Sequence, residues 1–142
     1  MTAPPVSVMQ FLRNGWLGSV GPGVPYALVH DWWGEPTQIR LTRPPSRSYG
    51  PVTIFLRDGV VTHSGIYLAR RNAPGPPGFV LDVGFQSVDD FNRSIEQAGL
   101  HAEQVADDAE DDGESLFRIR ESGVLVVFDA EGRLSHGVSP EP

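Results

Sequence analysis

The amino-acid sequence predicts an α+β domain, with one continuous antiparallel sheet drawn from two hairpin or meander regions and helices packed on one of its faces. Three observations carry that expectation. Tyr49 to Leu68 holds two β-rich arms joined at Asp58-Gly59, a dipeptide favoured in two-residue hairpin turns. Leu116 to Val138 holds three apolar or alternating runs separated by Glu121-Ser-Gly123 and Asp129-Ala-Glu-Gly132. Segments of helical spacing, led by Ser7 and Ser87, precede the two regions, and a lone hairpin is too marginal in water to stand without such cover.

Taken in order, Ser7 caps a short helix with Val8, Phe11 and Leu12 on one side, ending near Gly15. Trp16 to Pro22 is turn-like. Val24-Pro25 opens a second helix, with Pro25 in the first turn, where its missing N–H forfeits no bond. Ala27, Leu28, Val29 and Trp32 form the apolar side of that helix; Gly34 ends it and Pro36 blocks its continuation. A short strand is expected over Gln38 to Leu41, and the Arg/Pro/Ser stretch Arg40 to Ser48 is read as an exposed loop into the hairpin. In the hairpin's first arm, Val52, Ile54 and Leu56 share one face and Thr53, Phe55 and Arg57 the other.

The Pro- and Gly-rich run Arg70 to Gly78 excludes regular structure, so a single domain is expected in two halves, 5–70 and 79–138, joined by residues 71–78. Phe79 to Val83 reads as a strand. Ser87 caps a third helix, with Asp89 and Asp90 in its first turn, Phe91, Ile95 and Ala98 as its buried stripe and Gly99 as its stop. Glu103 to Glu114 is an acidic surface segment, followed by strands at Leu116 to Arg120, Val124 to Phe128 and Arg133 to Val138. Each half starts with a Ser-Val-led helix and ends in a hairpin, an echo consistent with two helix-plus-hairpin units sharing one sheet.

At 142 residues the chain fits one compact domain that buries roughly 70% of its unfolded surface. It contains no cysteine, which excludes structural disulfides and thiolate chemistry. Met1 to Gln10 show neither the basic start nor the apolar run of a signal peptide, and no stretch reaches the length of a membrane span, so a cytoplasmic location is expected. All 11 basic residues are Arg, as a GC-rich bacterial genome encodes. Their distribution is uneven: residues 1–71 carry a net charge of about +4 and residues 72–142 about −11 within the total of −7. That field repels nucleic acid and attracts a basic partner, and an acidic surface also favours solubility.

Recognisable chemistry is sparse. The histidines, at 30, 63, 101 and 136, show no metal-ligand spacing, and His30-Asp31 lacks the further His and Asp of a metal phosphohydrolase. Ser19 and Ser64 are not in a nucleophile elbow, and Gly18, Gly21 and Gly23 are not followed by the Lys of a phosphate loop. Asp108 to Gly113 matches the first half of a calcium loop, but Ile119 stands where its bidentate Glu belongs. No cofactor or metal is therefore expected. Trp32 and Trp33 are adjacent on a helix, about 100° apart, so both cannot point to the core, and Trp33 is taken as the exposed one.

The run Gly23-Val-Pro-Tyr-Ala-Leu-Val29-His-Asp-Trp-Trp-Gly34-Glu-Pro36, followed by Tyr49-Gly50 and a hairpin, is similar to a pattern of small uncharacterised actinobacterial proteins. Over some 45 residues it distantly resembles the helix signature of outer-membrane assembly lipoproteins and of the beta-lactamase inhibitory proteins, departing from them at Pro25 and in lacking their lipoprotein Cys. The resemblance implies a helix pair on an antiparallel sheet that binds another protein across its open face, a scaffold comparable to those of bacterial immunity proteins.

These readings favour a protein-binding module, an immunity-type inhibitor whose acidic segment faces a basic toxin or enzyme, over an enzyme. Its expected contact residues are Trp33, Asp107, Asp108, Glu110, Asp111, Asp112 and Glu114. Two other readings stand beside it. One is a small-molecule-binding or enzymatic pocket on the sheet face, built from Arg57, His63, Tyr67 and His136. The other is a structural module that forms a homodimer. Nucleic acid and membrane are not expected as partners.

Overall fold

A computed structural model describes residues 5–105 and 114–140. In chain order it contains helices α1 (Val8–Asn14) and α2 (Tyr26–Trp33) and strands β1 (Gln38–Arg40), β2 (Ser46–Tyr49), β3 (Val52–Arg57) and β4 (Val60–Tyr67). A 3-10 turn at Leu68–Arg70 follows, then helix α3 (Val88–Gln97) and strands β5 (Ala102–Gln104), β6 (Ser115–Ile119), β7 (Leu125–Phe128) and β8 (Leu134–Val138).

The Asp58-Gly59 turn forms as its chemistry demands. Both residues have positive φ, 54° and 77°, the handedness that matches a tight turn to the twist of its strands. The β3–β4 ribbon it closes is the inner pair of one half of an eight-stranded antiparallel sheet, ordered β1-β2-β3-β4-β8-β7-β6-β5. The halves meet at β4 and β8, where Gly65 pairs with Val138, Ile66 with Gly137 and Tyr67 with His136. The expected single sheet with helices on one face is therefore the observed one. The two halves each contribute four strands, but the first carries two helices and the second one.

Residues opposite each other on neighbouring strands share a face, so the register assigns every side chain. Tyr49, Val52, Ile54, Ile66, Val126 and Phe128 lie on the covered face and are buried. α1 is capped by the Ser7 hydroxyl, which accepts the Gln10 N–H at 3.1 Å, and it ends at Gly15 with φ 78°. It lays Val8, Phe11 and Leu12 over Ile66, Val126 and Gly137. α3 is capped in the same way by Ser87, and its Phe91 packs edge-on against Phe128 with ring centres 5.2 Å apart. α2 has no side-chain cap; Pro25 stands just before it and not in its first turn.

The buried side of α2 also differs from the expected one. Val29 and Trp33, one turn apart, are buried, while Ala27 and Leu28 are exposed and Trp32 is half-buried. Trp33 meets Tyr49 edge-on at 5.1 Å, and the Tyr49 hydroxyl donates to the Gly34 carbonyl at 2.9 Å, tying the helix end to the sheet.

Two further expectations are corrected. Ser46–Tyr49 is a strand and not part of a loop, so the connection after β1 shrinks to Leu41–Pro45. Phe79 to Val83 forms no sheet strand; Val80 makes a parallel bridge to Ser7, with Val80 N–H donating to Val6 O at 2.8 Å. The acidic segment begins inside β5, whose Glu103 reaches Arg120 at 3.3 Å. β5 is a short, charged edge strand, a form that discourages edge-to-edge association.

Phe91 is fully buried and bridges α3 to the sheet through Phe128. Phe91→Ala is expected to lower the unfolding free energy by about 3–5 kcal/mol, read from urea titration, because the vacated volume lies between two layers that are fixed elsewhere.

Candidate functional site

The second face of the sheet is polar at one end and apolar at the other. From β1 to β4 it carries Gln38, Arg40, Ser46, Ser48, Thr53, Phe55, His63, Gly65 and Tyr67. From β8 to β6 it carries His136, Val138, Leu125, Val127, Leu116 and Arg118. All three helices pack on the opposite face, and among the described residues no helix or strand lies across this one.

Two bulges shape its centre. In the β3–β4 ribbon the register shifts after Phe55, leaving Thr62 as the extra residue; in β7–β8 it shifts after Val127, leaving Ser135. Each extra residue sets its hydroxyl against Nδ1 of the histidine that follows, Thr62 to His63 at 2.9 Å and Ser135 to His136 at 3.0 Å. The imidazoles then stack on aromatic neighbours: His63 on Phe55 at 4.4 Å, and His136 on Tyr67 at 5.4 Å with the ring planes 17° apart. Burial pushes the His136 pKa below the usual imidazole value and raises that of the Tyr67 phenol, the latter opposed by the charges of Arg70 and Arg40. Gly65 makes room for Tyr67, since a Cβ there would stand 2.9 Å from its ring.

Beside Tyr67 the face sinks into a cleft of about 550 Å³. Its floor holds the buried Ser46, Ser48 and Thr53, and its sides are the Leu41–Pro45 connection, with Arg43 and Pro44, and the 3-10 turn, with Ala69 and Arg70. Ser48 and Thr53 hydroxyls are 2.9 Å apart, and Arg70 donates to Thr53 Oγ1 at 3.0 Å while its guanidinium lies over the Tyr67 ring at 5.0 Å. Arg40 closes the set from β1. No Asp or Glu is among the described residues that line the cleft. An arrangement of this kind binds negative charge; it contains no nucleophile set against a base.

Of the pocket set expected from sequence, His63, Tyr67 and His136 share this face, and Tyr67 alone lines the cleft. Arg57 is exposed at the far end of the hairpin, beside Leu41, Pro45 and Asp58. Trp33, expected at a contact surface, is 7% exposed and packed on Tyr49, because its position one turn after Val29 turns it inward. Asp107, Asp108, Glu110, Asp111 and Asp112 lie outside the described residues, and Glu114 is half-buried ahead of β6. The cleft residues Arg40, Arg43, Ser46, Ser48, Thr53 and Arg70 were not foreseen as a site. Their signal is the Ser46-x-Ser48 alternation amid closely spaced arginines, a polar strand pattern easily read as a loop.

Comparison with known proteins returns no match: no family model, no curated protein and no solved structure is similar to this chain. Among the described residues no group of three His, Asp or Glu side chains is placed to hold a metal ion, and no helix is long and apolar enough to cross a membrane.

The His136 shift carries a pH dependence with a definite sign. The unfolded imidazole takes up a proton at a pH of about 6.5, whereas the buried one resists it, so folding stability falls as the pH drops below that value. His136→Gln is expected to narrow the difference between Tm at pH 7.5 and at pH 5.5, values chosen to lie about one unit either side of the free imidazole pKa. An unchanged difference in differential scanning fluorimetry would remove His136 from the titration.

Proposed function

We propose that this chain is a protein-binding module, of the immunity-type inhibitor kind, whose contact surface is the helix-free face of its sheet. The observation that carries this reading is the row Leu116, Leu125, Val127 and Val138. These apolar side chains are half-buried on a face that no described helix or strand covers. Apolar residues gathered on one open surface mark contact sites, and the neighbouring Phe55–His63 and Tyr67–His136 stacks add rigid aromatic groups of the type that anchors interfaces. The resemblance to sheet-face inhibitors supports the same surface.

The partner we infer is a basic protein. The net charge of −7, concentrated in residues 72–142, draws a cationic surface from a distance, and the run Asp107 to Glu114 between β5 and β6 is its densest part. A cytoplasmic setting is supported by the cysteine-free sequence. The role in this reading is binding, for which the face offers charge and apolar area.

The test is affinity capture from an extract of the native host. The wild-type chain is expected to retain a protein in stoichiometric amount, and less of it between roughly 0.1 and 1 M salt, where the screening length shrinks from about 10 to 3 Å. Val127→Glu is expected to lose at least about tenfold of that retention, as a charge at an interface core does. Leu28→Glu, on an exposed position of α2 on the other side, is expected to retain it. Retention unaffected by Val127→Glu, or absence of any retained protein, overturns the reading; a dimer by light scattering that Val127→Glu dissolves would make the partner a second copy.

A further inference from the structure

We propose that the cleft between the Leu41–Pro45 connection and the Leu68–Arg70 turn is a binding site for a small organic oxyanion, a phosphate monoester or a carboxylate. It shares a face with the protein-binding reading but stands without it, because the free ligand is itself the probe.

The first argument is charge. Arg40, Arg43 and Arg70 line one cleft with no carboxylate among its described lining residues, in a chain where 18 acidic residues outnumber 11 basic ones. The lining comes from residues 38–70, whose one acidic residue, Asp58, lies at the far end of the hairpin and outside the cleft. None of the ion pairs formed between described residues involves these three arginines. Three guanidinium groups lining one cleft without a described counter-charge give it a positive potential, which draws an anion.

The second argument is the floor. Ser46, Ser48 and Thr53 are each at most 6% exposed, yet all three are polar, against the usual composition of buried positions. Their hydroxyls face the cleft. The Ser48–Thr53 contact and the Arg70–Thr53 bond fix one guanidinium in advance, and the Tyr67 ring beneath Arg70 holds its plane. A guanidinium held in this way loses little further freedom when it forms the forked pair of hydrogen bonds that oxyanions accept.

The third argument is size and lining. A volume of about 550 Å³ lies within the range of roughly 300–1,000 Å³ typical of small-molecule sites and is far larger than a bare oxyanion needs. Phe55, Tyr67, Pro44 and Ala69 supply apolar surface for the remainder of the ligand. The cleft therefore fits an anionic group on a compact organic body, with the anion toward the three arginines.

The experiment is titration of the full chain, in a phosphate-free buffer, with phenyl phosphate, inorganic phosphate, benzoate and benzyl alcohol, followed by calorimetry and amide NMR. Saturable binding of phenyl phosphate or benzoate is expected, stronger than that of inorganic phosphate. The shifts should centre on residues 46–55 and 67–70, and benzyl alcohol should not bind. The tighter of the two aromatic anions identifies the oxyanion. Arg40→Gln and Arg43→Gln, both at exposed positions that the fold does not use, are expected to weaken binding at least about tenfold each. Arg93→Gln, on α3 behind the sheet, is expected to leave it unchanged. Absence of saturable binding by the small anions overturns the site, as does binding undiminished in the Arg40→Gln/Arg43→Gln double variant or equal binding of benzyl alcohol. A glutamate-rich peptide that binds where neither small anion does would also overturn the small-ligand assignment and give the arginines to a protein contact.

Discussion

The pairing of β4 with β8 is the constraint on which the remainder of the molecule depends. It alone joins the two hairpins into one layer, through Gly65–Val138, Ile66–Gly137 and Tyr67–His136. Beyond the last of the paired residues, Ser139 extends the seam, its N–H donating to Ser64 O at 2.8 Å and its hydroxyl accepting from Ser64 N–H at 2.9 Å. Two glycines sit at this seam for different reasons. Gly137 lies under α1, whose Phe11 packs close above it, while Gly65 on the other face leaves the space that the Tyr67 ring occupies. Without the seam, Phe11 would cover one hairpin instead of two, and the stack of His136 on Tyr67 would not exist.

From that seam the two faces follow opposite rules. On the covered face most of the alternating residues are large and apolar, and burial of roughly 25 cal/mol for each Å² of apolar surface holds α1, α2 and α3 in place. On the other face the same alternation presents hydroxyls, guanidinium groups, imidazoles and a few aliphatic side chains. The covered face alone accounts for the fold. The second face then has latitude that the core lacks, and it is there that bulges, stacks and the cleft accumulate.

Much of this architecture was legible in the sequence wherever local chemistry and tertiary demand agree. Ser7 and Ser87 cap because their hydroxyls satisfy free helix N–H groups, and Asp58-Gly59 turns because both residues tolerate positive φ. Reading failed where tertiary context overrules composition. Ser46–Tyr49 looks like a loop because its serines face a polar cleft and not a core. Trp33 was misplaced because the choice between adjacent tryptophans is set by the register of α2 against Tyr49, which no local pattern fixes. For the site, the sequence reading placed His63, Tyr67 and His136 together on the sheet face, but the convergence of Arg40, Arg43 and Arg70 depends on two connections folding toward the same strands, which spacing does not encode.

The uneven charge seen in the sequence acquires a spatial meaning on the open face. The cationic cleft sits over β2 and β3, while Leu125 and Val127 stand on β7, three strands away from β3 in the sheet order. At roughly 4.8 Å per strand β3 and β7 are about 14 Å apart, more than the screening length of about 8 Å at physiological ionic strength, so charge on the far side of the cleft acts only weakly at β7. Arg70 is nearer, lying over Tyr67, whose ring stacks on His136 of β8 at 5.4 Å. At low salt the screening length grows to about 30 Å, and the whole of both regions is then within reach. Any coupling between them is in consequence electrostatic and salt-dependent, unless it passes through the Tyr67–His136 stack, which spans the seam on this face.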